Sequence, residues 1–222
     1  MICRNKFSSL LTILFLLILF PVCSTYAVQS GNIEYNAAAQ LFDYSKLDIT
    51  PVLEEADYYF DIAMQLEDPQ EKDRFINLAM GKYYLASKIN PDDERIYVQI
   101  ARIYDELKKD SLAKSNFFHA TNLVANDPYA NYWFGEFYFK RRDFKRALKH
   151  YTIAYNNGYA NNYDLNFRLA TIYEKFADLM NAKKFYEATY SLKPEDVELQ
   201  EKIQSINDMG YENSEYYHLI RE

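Results

Sequence analysis

ERIYVQIARIYDELKKDSLAKSNFFHATNLVAND spans residues 94–127, and the next 34 residues, 128–161, read PYANYWFGEFYFKRRDFKRALKHYTIAYNNGYAN. Laid one over the other, Tyr104 falls on Tyr138, Ala113 on Ala147 and Phe117 on Tyr151. The beat runs on in both directions. An alanine followed four residues later by an aromatic occurs at Ala79/Tyr83, Ala113/Phe117, Ala147/Tyr151 and Ala182/Tyr186, and the alanines lie 34, 34 and 35 residues apart. Tyr173 continues the Tyr104/Tyr138 register. A period of this length is the mark of stacked helical hairpins. Apolar residues recur at the 3.6-residue helical spacing throughout. Pro91-Asp92-Asp93 and Asp127-Pro128 separate hairpins, while Asp110, Asp143 and Asp178 stand where second helices should begin. Only 5 glycines and 6 prolines in 222 residues favour long helices over a turn-rich β chain.

In register, the units resemble the tetratricopeptide repeat (TPR) family over residues 53–196. Its 34-residue unit carries a large residue, a Leu with a small residue, a Tyr, then Ala, an aromatic, a second small residue and Pro. Residues 94–127 supply Tyr97, Ile100-Ala101, Tyr104, Ala113, Phe117 and Ala120. Residues 128–161 supply Phe134-Gly135, Tyr138, Ala147, Tyr151 and Ala154, with Asn131 at the first large position. Residues 163–196 supply Leu169-Ala170, Tyr173, Ala182, Tyr186 and Pro194, departing at Asn166 and Thr189. The first unit, 53–93, matches in its second helix (Ala79, Tyr83, Ala86, Pro91). Its first helix fits through Tyr59, Ile62-Ala63 and Leu66, leaving about four extra residues around Pro69. The resemblance implies an all-α, right-handed α-solenoid of about four antiparallel hairpins. A capping helix over 197–208 (Val197, Leu199, Ile203, Ile206) should follow, with Gly210 as its C-cap. The solenoid is expected over 51–208, opened by Thr50 as N-cap and Pro51 at the first helical position, with a tail at 209–222.

The N-terminus has a different character. Arg4 and Lys6 precede an apolar run from Phe7 to Phe20, and a short polar stretch ends at Ala27. That order reads as a secretory signal peptide, residues 1–27, followed by a linker over 28–50. A retained anchor and a lipid anchor on Cys23 are the alternatives. The run is short of the ~20 residues of a membrane span, and Phe20-Pro21-Val22 lacks the small residue expected before a lipidated cysteine. The expected location is periplasmic or extracellular, with membrane contact only if the segment is retained. Both cysteines, Cys3 and Cys23, fall in this segment, so the remaining chain has neither disulfides nor thiol chemistry. Without Arg4 and Lys6, 23 of the 25 basic residues face 32 acidic ones, a formal charge of −9. Such a balance disfavours nucleic acid as a partner.

The TPR resemblance implies that first helices line a concave groove through positions 2, 5, 9, 12 and 13 of each unit. These are Asp57, Phe60 and Met64; Arg95, Val98, Arg102, Asp105 and Glu106; Tyr129, Tyr132, Glu136, Phe139 and Lys140; and Asp164, Phe167, Thr171, Glu174 and Lys175. The candidate peptide-binding set is Arg95, Arg102, Tyr129, Tyr132, Glu136, Phe139 and Phe167, since aromatic and arginine side chains dominate interface energetics. Rings supply area for an extended or helical peptide, and arginines pair carboxylates. Trp133, adjacent to these positions, reads as core. Position 9 (Met64, Arg102, Glu136, Thr171) lacks the lysine and asparagine of TPR domains that clamp chaperone C-termini. The expected partner is therefore a protein or peptide, without cofactor, metal or small-molecule substrate. The alternative is a structural subunit of a cell-envelope assembly, with contacts through the convex face or the tail (Tyr211, Tyr216, Tyr217, Leu219, Ile220). An enzyme is not expected. The three histidines, His119, His150 and His218, form no metal-spaced pair, and no glycine-rich phosphate loop or nucleophile elbow occurs. Glu54/Glu55 and Asp105/Glu106 read as solvated helix faces.

Overall fold

The structure, a computed structural model, describes residues 47–209. The signal and nearly all of the linker, the Gly210 cap and the tail at 211–222 lie outside the described residues. The chain divides into two compact units, Met1–Asp48 and Ile49–Glu222, and every described helix falls in the second.

Nine helices and no strand occur among the described residues: α1 Thr50–Gln65, α2 Pro69–Ile89, α3 Glu94–Glu106, α4 Asp110–Leu123, α5 Pro128–Lys140, α6 Phe144–Ala154, α7 Tyr163–Lys175, α8 Leu179–Leu192 and α9 Val197–Asp208. Short polar side chains start most of them. The carboxylates of Asp68, Asp93, Asp127, Asp143, Asp178 and Asp196 and the Asn162 side-chain carbonyl each accept a hydrogen bond from a backbone N–H of the following first turn. Each cap satisfies one donor that the helix itself leaves open. Thr50 is different, lying inside α1 behind Ile49, which caps without a side-chain bond. Helices pair as α1/α2, α3/α4, α5/α6 and α7/α8, and each hairpin packs on the next through α2/α3, α4/α5 and α6/α7, with α9 closing on α8. The described residues form an all-helical α-solenoid.

The sequence beat builds the interior. Ala79, Ala113, Ala147 and Ala182 are wholly buried, and Tyr83, Phe117, Tyr151 and Tyr186 are at most 1% exposed. Small side chains let the two helices of a hairpin approach, and the ring four residues on fills the seam. Gly135 marks the tightest approach: a Cβ placed there would sit 2.5 Å from the Tyr151 ring. α3 serves two packing layers, Ile96, Ile100 and Ile103 joining the first hairpin while Val98 and Ala101 join the core that follows.

Departures from the repeat have local causes. The extra residues near Pro69 do not make a long loop but lengthen α2 to 21 residues, with Pro69 at its first position. The 35-residue spacing between Ala147 and Ala182 spans a wide π-type turn, Tyr155–Tyr159, in which Gly158 takes φ +126°. Only glycine adopts that backbone cheaply. Asn131 and Asn166 stand where large apolar residues are expected, yet both are 1% exposed. Each donates its side-chain N–H to the carbonyl six residues earlier, Ala125 at 2.9 Å and Ala160 at 2.8 Å, holding the preceding loop against the helix. Buried Thr189 donates to the Phe185 carbonyl at 2.7 Å. In the capping helix Leu199 and Ile206 are buried as expected, but Val197 is 65% exposed. Between the helices of the last three hairpins, Lys108, Arg142 and Ala177 all take left-handed backbone (φ 58°, 60° and 58°), a second beat of 34 and 35 residues.

Candidate functional site

The first helices α1, α3, α5 and α7 are joined side to side by their own side chains, and these contacts define one continuous face. At its start, Asp57 of α1 accepts hydrogen bonds from the Tyr83 hydroxyl and from Gln99 Nε2 of α3 (2.7 Å). Arg102 of α3 lies between two rings, 4.9 Å from the Phe60 centroid on α1 and 3.8 Å from the Trp133 centroid on α5. It also donates to Gln99 Oε1 at 2.6 Å and to the Tyr129 hydroxyl at 3.3 Å. Further along, Glu136 of α5 is 6% exposed and accepts from Arg168 of α7 (2.8 and 3.3 Å) and from the buried Tyr151 hydroxyl (2.5 Å). Arg168 covers the Phe139 ring at 4.6 Å. Glu174 accepts from Tyr186 and pairs with Lys202 of α9.

The second-helix tyrosines thus do more than pack. Tyr83, Tyr151 and Tyr186 bring their hydroxyls out beneath this face, each onto a first-helix carboxylate. Burial, reinforced by the carboxylate, pushes all three phenols well above the ordinary tyrosine range, so they remain donors at any physiological pH. Phe117 has no hydroxyl, and in its repeat Asp105 is met by Lys140 and Arg141 instead, each at 2.8 Å. Asp105 is therefore 7% exposed rather than solvated. Glu106 pairs with Lys72 at 2.6 Å, which holds its carboxyl below the usual range.

The structure brings Arg102 and Tyr129 into contact, and links Tyr132, Glu136 and Phe139 through Tyr151 and Arg168. The Tyr132 and Phe139 rings lie 6.1 and 6.3 Å from that of Tyr151. Tyr129, Tyr132, Phe139 and Phe167 are all half-buried, keeping part of each ring in solvent. Arg95 stands apart from the rings. It is exposed and held by Asp93 through Nε (2.9 Å) and Nη2 (2.6 Å), which fixes it at the start of its own helix. Phe167 stacks on Tyr163 and meets Tyr186 edge-on rather than packing on the α5 rings. Val98 is wholly buried, so its position does not face the groove in this repeat.

Position 6 of the unit is not among the groove positions that the repeat resemblance implies. Gln99, Trp133 and Arg168 occupy it, 34 and 35 residues apart, and supply most of the links between hairpins. Trp133 is not core but half-buried, with its indole N–H enclosed and without a hydrogen-bond partner among the described residues. His150 packs 4.3 Å from the Phe134 ring and bonds Asn131 at 3.0 Å. Desolvation lowers its pKa to about 4. Among the described residues no three His, Cys, Asp or Glu side chains are grouped as a metal site requires, and no helix is long and apolar enough to cross a membrane.

The fold and this face define a helical-repeat scaffold, an architecture that serves generally in protein interaction. Residues 163–196 match the Tetratricopeptide repeat family model. No curated protein matches it in sequence. Among solved structures it is similar to MamA (18% identity, TM-score 0.53, 65% of this chain and 86% of that one). It is likewise similar to MamA 41-end from Desulfovibrio magneticus RS-1 (16%, TM-score 0.53, 70% and 85%). Pseudomonas aeruginosa pilF also shares the fold (20%, TM-score 0.51, 68% and 66%).

Proposed function

We propose that this chain is an exported adaptor that holds a segment of a protein partner across the face of α1, α3, α5 and α7. The observation that carries the reading is the row of half-exposed rings on that face, Tyr129, Tyr132, Trp133, Phe139 and Phe167, fixed from below by hydrogen-bonded carboxylates. Rings with one face packed and the other wet, on a rigid support, are the side chains that contribute most on association. Export rests on the pattern of residues 1–27, and places the partner in the periplasm or outside the cell. Its test is the N-terminus of the native protein: a cytosolic chain with residues 1–27 intact would reject it. For the groove, Tyr132→Ala with Phe139→Ala should lower capture of the cross-linked native partner at least about tenfold, with helicity unchanged by circular dichroism. Undiminished capture would reject the groove.

A second reading, a subunit built into a larger assembly, is favoured by the second helices. Leu78, Leu85, Leu112 and Phe118 are 40%, 48%, 46% and 59% exposed, more apolar surface than a solvated face needs. Light scattering on the purified chain separates the two readings: a monomer whose capture depends on Tyr132 and Phe139 supports the adaptor, whereas a stable oligomer broken by Phe118→Glu supports the subunit.

A further inference from the structure

The N-terminal halves of α1, α3 and α5 enclose a cleft of about 370 Å³ at one end of the proposed groove. Its lining includes Leu53, Glu54 and Asp57 from α1, Arg95 and Gln99 from α3, Tyr129 from α5 and the cap residue Asp127. A space of this size lies near the lower end of ligand pockets and accommodates a long side chain rather than a whole peptide.

Its lining is net acidic, with Glu54, Asp57 and Asp127 against Arg95. Glu54 and Asp57, three residues apart, lie on one face of α1. Asp57 takes both of its hydrogen bonds, from Tyr83 and Gln99, on Oδ1. Its Oδ2 has no partner among the described residues, and neither Asp57 nor Glu54 has a lysine or arginine in salt-bridge contact there. One cation, Arg95, also lines the cleft; it is bound through two of its nitrogens to Asp93, which offsets its charge. The Asp127 carboxylate adds further negative charge while capping α5. A half-buried carboxylate with one open oxygen, beside a second carboxylate and a tyrosine ring, matches the head and stem of a basic side chain. The ammonium or guanidinium group meets Asp57 Oδ2 and Glu54, and the methylenes run along Leu53 and Tyr129. An acidic partner residue would meet three carboxylates and one guanidinium already paired with Asp93.

We infer that this cleft receives a lysine or arginine side chain of the bound segment, so that the groove selects cationic protein partners. The inference rests on the groove reading above and gives it a polarity. Random dodecapeptides displayed on phage, selected on the purified chain, supply the probe. Selected peptides should share a basic residue at one position, and synthetic peptides carrying norleucine there should bind at least about tenfold more weakly. Glu54→Gln and Asp57→Asn should each weaken the parent peptide and leave the norleucine peptide unchanged. Glu54 is exposed and has no side-chain partner among the described residues, so its variant does not act through the packing described above. Selected peptides without a shared basic position, or bound equally well with norleucine, would overturn the cleft assignment while leaving the groove reading in place. Peptides retained equally by the Tyr132→Ala/Phe139→Ala chain would overturn both. Putrescine binding as tightly as the peptide would also overturn the inference, making the cleft a site for free amines.

Discussion

Gly135→Ala adds a single methyl group and should destabilise the protein, although alanine is the better helix former by roughly 1 kcal/mol. The added Cβ would lie 2.5 Å from both Cδ1 and Cε1 of Tyr151, where ordinary contact begins near 3.4 Å. The ring must therefore retreat by close to an ångström, and it has little room. Tyr151 is wholly buried, touches the rings of Tyr132 and Phe139, and is tied through its hydroxyl to Glu136. Overpacking of this kind costs about 1–3 kcal/mol. Set against the helix-propensity gain, a net loss of up to about 2 kcal/mol remains. For a repeat domain of this size that corresponds to a melting temperature lower by up to roughly 8 °C in calorimetry or circular dichroism. The equivalent positions in neighbouring repeats carry Ala101 and Ala170, wholly buried, and Ala→Gly there should instead lose about 1 kcal/mol. The cause can be isolated with Tyr151→Leu, which removes the ring. In that background Gly135→Ala should be neutral or stabilising. A Gly135→Ala chain that melts at or above the wild-type temperature, or a loss that persists unchanged in the Tyr151→Leu background, would refute the close-approach argument.

Tyr151→Phe removes a donor from buried Glu136 and leaves Arg168 as its remaining partner, so it should cost about 1.5–3 kcal/mol by chemical denaturation with little change in m-value. Ala177→Gly relieves a left-handed residue (φ 58°) on the surface and should raise stability by up to about 1 kcal/mol, in contrast to any Ala→Gly change within the helices. His150 is held neutral by burial with its pKa lowered to about 4, so the unfolded chain binds the extra proton first as pH falls. Stability should therefore decline between about pH 6.5 and 4, a slope that His150→Gln flattens. The separate loss from Glu106 and Asp110, whose pKa values lie below normal beside Lys72 and Arg141, belongs to more acidic pH.

The scaffold was legible because its rule uses one residue at a time: a small side chain or a ring at a fixed position does the same thing in every hairpin. Asn131, Asn166 and Thr189 looked like lapses from that rule, and each is buried because a nearby backbone carbonyl accepts its polar group. No repeat register signals this. The site was less legible for a related reason. Its contacts join residues such as Arg102 with Trp133 and Glu136 with Arg168, one from each of two hairpins, so no single unit displays them. Val98 shows the limit of carrying positions over: a short side chain there ends beneath its neighbours, where Tyr132 and Phe167 emerge. The acids that receive the tyrosine hydroxyls, Asp57, Glu136 and Glu174, stand 26, 15 and 12 residues before their partners, at three different positions of the unit. Their spacing therefore carries no beat. Yet the beat decides what those acids have left to offer. Glu136 has Arg168 for its remaining valence, Glu174 has Lys202, and Asp105, facing Phe117 rather than a tyrosine, has Lys140 and Arg141. Among the described residues Asp57 alone of the four receives a tyrosine without a salt-bridged cation, and it opens onto the cleft between α1, α3 and α5. The packing residue and the binding residue are in this sense a single arrangement, because the phenol at Tyr83 orients the carboxylate whose second oxygen faces the partner.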